Sequence, residues 1–295
     1  MDRVAGLTIF GILAAVLLAS LQAAAATQAG WKLRQQPAAL VNGSPVLFRV
    51  TSPEKLVSLQ GTWLEHEINF RFSQHCHCWY ALAGVPLDTP PADYPIQLAG
   101  DTAHGGKVRF TSKESVGEAK YPSTTISVAP KYVQPPREIL ARIEAEQTLK
   151  KKIFADTAPE SLWTGKFLAP ARAVVTGVFG TARIFNGVKR SEHEGIDLRV
   201  HTGTPVHAAN AGTVILARNL YFEGDCVILD HGQGLMTVYL HLSKFKVKEG
   251  DKVKAGQVLG LSGSTGRATG PHLPFAVRWQ GSYVNPAVLF KLTPP

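Results

Sequence analysis

Thr265-Gly266-Arg267-Ala268-Thr269-Gly270-Pro271-His272-Leu273-Pro274-Phe275-Ala276-Val277-Arg278 runs from a Gly-rich turn into an alternating strand. Residues 272, 274, 276 and 278 then share one face, because successive strand side chains point to opposite sides. Histidines at 272 and 274 would stand side by side there, one able to bind a metal and the other to move a proton. The chain has His272 but Pro274, and proline offers no donor atom.

Outward from this segment, Val238-Tyr239-Leu240-His241-Leu242-Ser243 puts His241 at the end of an apolar strand. Further upstream, His193-Glu194-Gly195-Ile196-Asp197 spaces an imidazole and a carboxylate four residues apart. On a straight strand these two would share a face but lie about 13 Å apart. Two ligands of one zinc, with bonds of about 2 Å, must bring their donor atoms within roughly 3–4 Å. If both bind one ion the segment must bend, and Gly195 is placed to permit it. Alone, His-x-x-x-Asp is also an ordinary surface pair. Here it is preceded by Phe179-Gly180 and Phe185-Asn186-Gly187 and followed by Val200-His201-Thr202-Gly203-Thr204-Pro205-Val206-His207-Ala208-Ala209.

Taken in this order, the three stretches resemble the lysostaphin-type (LytM-type) zinc metalloendopeptidases, which cut peptidoglycan cross-bridges. The resemblance spans about Phe167 to Leu289. It implies an antiparallel β domain related to the biotinyl/lipoyl hybrid barrels. It implies zinc as cofactor, with His193 and Asp197 as ligands. It also implies that His241 and His272 are the two non-ligand histidines at the scissile bond. There a neutral imidazole takes a proton from the attacking water and an imidazolium stabilises the tetrahedral oxyanion. His231, His201 and His207 are expected to be structural or exposed.

The family carries its third zinc-ligand histidine where this chain has Pro274, and commonly a glutamate where it has Ala276. Proline also withdraws a backbone donor, so the strand should accept it at an edge or bulge. Catalytic zinc sites use three protein ligands plus water. The expectation is therefore a zinc site that is weak or empty, and weakened hydrolysis with it. Two routes to a third ligand remain open. Glu192, Glu194 or another histidine could swing in, or His272 could turn ligand and leave His241 alone for acid–base work.

The rest of the 295-residue chain reads as mainly β. Between Gly30 and Val133, short alternating segments such as Pro45–Val50, Ile68–Phe72 and Thr124–Val128 are broken by Asn42-Gly43-Ser44, Asp88-Thr89-Pro90-Pro91 and His104-Gly105-Gly106. Regular strands with such breaks suggest an Ig-like β-sandwich module over residues 30–133. Pro135-Pro136 opens a linker, residues 134–165, with one helix striped by Ile139, Leu140, Ile143 and Leu149. The peptidase-type domain follows over 166–295. In it, Val247–Gly260 repeats V-x-x-G-D/Q-x-V/L, a pair of short strands with glycine turns.

Residues 1–26 have the form of a secretory signal: Arg3, an apolar run from Ala5 to Leu21, and an alanine cluster offering cleavage after Ala25 or Ala26. No later stretch is long enough to cross a bilayer. The formal net charge of +9 suits retention near anionic envelope polymers, and export argues against nucleic acid as partner. Three cysteines, Cys76, Cys78 and Cys226, are too few for a disulfide scaffold. A strand over His75-Cys76-His77-Cys78 would put the two sulfurs on one face and the imidazoles on the other, so no metal cage forms there and a bridge would be strained.

Two functions follow. One is an exported protein of the periplasm or extracellular envelope that cleaves peptidoglycan peptides with zinc. The other is a degenerate domain that binds peptidoglycan peptides or activates a partner cell-wall hydrolase.

Overall fold

The computed structural model describes residues 29–127, 130–132, 134–185, 187 and 189–295. The expected signal, residues 1–26, lies outside them. The described chain is mainly β. Its first ten strands are β1 (Lys32–Gln36), β2 (Leu40–Val41), β3 (Pro45–Thr51), β4 (Leu56–Trp63), β5 (His66–Asn69), β6 (Arg71–Ser73), β7 (Cys78–Gly84), β8 (Ala92–Thr102), β9 (Lys107–Gly117) and β10 (Ser123–Ile126). Helix α1 (Arg137–Ala155) follows. Then come β11 (Val175–Gly177), β12 (Ala182–Phe185), β13 (Lys189–Glu192), β14 (Gly195–Leu198), β15 (Pro205–His207), β16 (Gly212–Leu220), β17 (Gly224–Asp230), β18 (Leu235–Phe245), β19 (Lys252–Val253), β20 (Val258–Ser262), β21 (Leu273–Trp279), β22 (Ser282–Val284) and the short helix α2 (Pro286–Leu289).

Two compact units emerge. One comprises the segment ending at Arg34 with Arg49–Ala81 and Tyr94–Glu114, and the other Gln35–Phe48, Leu82–Asp93 and Ser115–Pro295. The N-terminal strands form a four-stranded sheet, β1-β3-β7-β6, and a five-stranded sheet, β2-β9-β8-β4-β5. In the first unit Trp63 and Ile96 are fully buried, as alternating strands with one inward face require. The His75–Cys78 reading needs correction. The segment turns before β7 begins at Cys78, with His77 at φ 46°, and Cys76 and Cys78 are joined by a disulfide. A turn brings together two sulfurs that a straight strand would hold apart.

Helix α1 starts behind Pro136, whose missing N–H costs nothing at a helix start. It buries no residue completely. Leu149, Ile153 and Phe154 rest on a cluster of Leu216, Leu220, Cys226, Ile228, Met236, Val238 and Ala276. The predicted stripe is thus only partly used, and Leu140 stays 49% exposed.

The second unit is built on a sheet ordered β11-β14-β21-β18-β17-β16-β19, with β20 and β22 attached to β18 and β21. Strands β17, β18 and β21 are buried almost throughout, which explains their near-continuous apolar sequence. Pro274 sits in β21, between β14 and β18, and not on an edge. The sheet tolerates it for a different reason. The β18 ladder to β21 ends at Tyr239↔Phe275, one residue short of Pro274. There β18 swings away at His241, whose φ is 57°, and re-pairs with β20 from Leu242↔Ser262 onward.

Candidate active site

Four sequence-marked side chains converge on the β14–β21 side of this sheet. The β12–β13 hairpin delivers His193, whose N–H donates to Thr181 O at 2.9 Å and whose carbonyl accepts from Gly180 at 2.8 Å. Residues 193–194 separate β13 from β14, so the extended run between His193 and Asp197 is interrupted there. Gly195 is not the hinge. It lies in β14, where a Cβ would stand 2.4 Å from Phe275 O, so its role is close approach to β21.

Asp197 then faces Gly177 across one ladder and Pro274 across the other. Its Oδ1 is 3.4 Å from His193 Nε2 and 4.0 Å from His272 Nε2. Its Oδ2 takes a hydrogen bond from the Arg183 guanidinium and lies where a Cβ on Gly177 would come within 2.3 Å. One carboxylate oxygen is thus clamped and the other left bare. Burial acts to raise the Asp197 carboxyl, but His193, then Arg183 and His272, outweigh it and hold the group well below the usual carboxylate range.

The imidazoles of His241 and His272 lie 5.1 Å apart, ring centre to ring centre. His272 Nδ1 is 2.8 Å from Gly270 O, and a carbonyl can only accept, so this nitrogen carries the proton and Nε2 is the open one. His241 is 6% exposed; burial, then the charge of His272, pulls its pKa down to about 4, so it is neutral at neutral pH. All four residues line a groove of about 300 Å³.

Three buried polar atoms here have no hydrogen-bond partner: His193 Nε2, Asp197 Oδ1 and His241 Nδ1. Unpaired buried polar atoms are costly, and several in one place mark a site completed by something else. The 3.4 Å between the first two matches the separation that roughly 2 Å bonds to one zinc impose. The donor set fits the ion only in part. Pro274 is buried at the third position, and among the described residues no group of three or more His, Cys, Asp or Glu forms a metal cage. Glu192 and Glu194 line the groove with exposed side chains.

Residues 191–286 match the model of peptidase family M23. A candidate peptidase M23 of Pseudomonas aeruginosa, known from a crystal structure, is 30% identical over 85% of this chain and 94% of its own, with a TM-score of 0.64. The chain belongs to peptidase family M23. Among curated M23 relatives, the peptidoglycan DD-endopeptidase ShyA of Vibrio cholerae is 44% identical over 112 residues, 38% of this chain and 26% of its own length. The DD-carboxypeptidase/endopeptidase Mpg of Neisseria meningitidis is 42% identical over 102 residues, 35% and 24%. The chain spans about a quarter of the length of these relatives.

The other histidines of the M23 region serve elsewhere or lie open. His231 is fully buried, with Nδ1 2.6 Å from Ala211 O and Nε2 2.8 Å from Thr237 Oγ1. His207 Nδ1 approaches Pro170 O at 3.3 Å, and His201 is exposed. Sequence reasoning missed Arg183 and Gly177, which carry no motif of their own. It also missed that α1 supplies Lys150 and Phe154 to the groove wall, Lys150 being paired with Glu223.

Proposed function

We propose that this protein is an exported envelope member of the zinc metalloendopeptidase type, directed at peptidoglycan peptide cross-links, with zinc binding impaired by Pro274. The observation that carries the reading is the bare pair His193 Nε2 and Asp197 Oδ1, 3.4 Å apart, beside the His241–His272 pair in one groove. His193 and Asp197 would hold the metal, which when bound supplies Lewis acidity toward a carbonyl and acidifies water. His241, neutral and lining the groove beside His272, is the group able to accept a proton from an attacking water. His272 keeps its Nδ1 proton on Gly270 O and presents Nε2 to the groove. Export is supported by the form of residues 1–26 and by the Cys76–Cys78 disulfide, since such bridges persist in oxidising compartments.

A second reading is favoured by Pro274 itself, a buried residue without a donor opposite Asp197. On that reading the groove binds peptidoglycan peptides, or helps a partner hydrolase, without cleaving. Metal analysis of the purified chain, paired with cleavage of cross-linked peptidoglycan, separates the two. Retained zinc and released peptides support the enzyme. Peptidoglycan binding without metal or cleavage supports the receptor. No binding at all would remove both.

A further inference from the structure

The Cys76–Cys78 disulfide lies outside the M23 region, and neither the groove nor its chemistry involves it. A disulfide stabilises a fold chiefly by closing a loop of the unfolded chain, and the gain grows with loop length. Here the sequence separation is 2, so the loop closed is very short and the restraint is small. The effect is reciprocal. A bridge that does little for the fold is held in place by little of the fold's stability. Exposed bridges of this kind are the ones open to reduction and exchange.

The surroundings make the two sulfurs unequal. Residues 74–77 form the turn between β6 and β7, and all four are exposed, Cys76 among them. Cys78 is 5% exposed and opens β7, where it pairs with the buried Ser73. The ladder therefore keeps Cys78 in place when the bridge opens, while Cys76 stands on the turn within reach of an outside thiolate. One rung further along, Phe72 is 44% exposed and meets Trp79 edge-on at 5.4 Å. A protein partner can cover that ring, and a small thiol cannot. Cys226 is fully buried, so no third thiol of this chain takes part.

We propose that Cys76–Cys78 is a thiol–disulfide exchange site that accepts electrons from a dithiol protein. A thiolate of the partner attacks Cys76 Sγ, and the Cys76–Cys78 bond breaks with its electron pair on Cys78 Sγ, which takes a proton from water. The partner's second thiol gives up its proton and attacks the partner sulfur of the mixed disulfide. Cys76 leaves as thiolate and is protonated in turn. Two electrons and two protons pass from the dithiol to the bridge, and the partner ends as a disulfide.

The test uses the full chain in native buffer, with reduced thioredoxin as the protein dithiol and dihydrolipoate as the small one. Maleimide labelling and mass spectrometry should find Cys76 and Cys78 reduced and Cys226 unlabelled, with the near-ultraviolet circular dichroism spectrum unchanged. In Cys78→Ser the remaining Cys76 should form a mixed disulfide with glutathione disulfide. In Cys76→Ser the buried Cys78 should do so at least about tenfold more slowly. Phe72→Ala should slow reduction by thioredoxin and leave that by dihydrolipoate unchanged. A bridge that is reduced only when urea unfolds the chain, or whose reduction itself unfolds the chain, is structural, and either result overturns the assignment without need of any variant. Equal reactivity of the two serine variants overturns attack at Cys76. A thioredoxin rate unchanged in Phe72→Ala overturns the protein partner in favour of a small dithiol.

Discussion

Pro274→His should convert this site from two protein donors to three. Residue 274 is directly opposite Asp197 in the β14–β21 ladder. Directly opposed residues share a face, with Cβ atoms about 4.5–5.5 Å apart. An imidazole at 274 therefore rises beside Asp197 Oδ1, which already sits 3.4 Å from His193 Nε2. The substitution restores a backbone N–H where the β18 ladder has already ended, so it disturbs little pairing. The new ring has room, since residue 274 lines a groove of about 300 Å³. Losing a mere supporting partner of a metal ligand costs roughly 10–100-fold in affinity, so gaining a direct ligand should yield at least that, or about 1.4–2.8 kcal/mol. Competition with a chromophoric chelator measures the zinc affinity of both chains. Cleavage of cross-linked peptidoglycan should rise with it. His193→Ala in the repaired chain should abolish the gain, and His241→Ala should cut turnover while leaving zinc bound. If the unmodified chain already holds one zinc against the chelator, or the histidine leaves affinity unchanged, the two-donor account is wrong.

Other consequences are equally open to measurement. Gly177→Ala pushes a methyl to within 2.3 Å of Asp197 Oδ2, so in the Pro274→His chain zinc affinity should fall by roughly 10–100-fold, with about 1–3 kcal/mol lost in stability by denaturant unfolding. Burial lowers the His231 pKa to about 4, despite its bond to Ala211 O. A depressed histidine contributes stability that is fully present above the unfolded value of about 6.5 and is lost as pH falls toward the folded value. Urea midpoints should therefore drop between about pH 6.5 and 4, with His241 adding to the same slope. His231→Gln should reduce that slope by about one proton, roughly 1.4 kcal/mol per pH unit; an unchanged slope would contradict the burial argument. Alkylation followed by mass spectrometry should label no cysteine in the native oxidised chain. Reductant should expose Cys76 and Cys78, and Cys226, fully buried, should react only on unfolding.

Much of the site was legible in the sequence because its signals are local. His193-x-x-x-Asp197, His241 at the end of an apolar strand, and His272 after a glycine turn are each set by neighbours within a few residues. The strands of the M23 region and the helix behind Pro136 announce themselves in the same way, through alternation and through a fixed proline φ. The missing donor at 274 was equally plain, being a matter of residue chemistry.

What the amino-acid order left undecided depends on pairing between distant strands. Arg183 and Gly177 meet Asp197 only because β11 pairs with β14 and the β12–β13 hairpin folds back beside it. No spacing rule encodes which oxygen of a carboxylate is clamped. Gly195 looked like a hinge and proved to be a contact, because its close neighbour is Phe275, 80 positions away in the chain. Cys76 and Cys78 looked like strand residues, and a turn ahead of β7 brought their sulfurs together. Pro274 looked fit only for an edge or a bulge, and an interior strand accommodates it because β18 leaves the ladder at His241. Alternation and motif chemistry determine which residue types appear on which face. Register, strand exchange and the close approach of backbones arise only when the sheet assembles, since they are set by contacts between segments that the linear sequence keeps far apart.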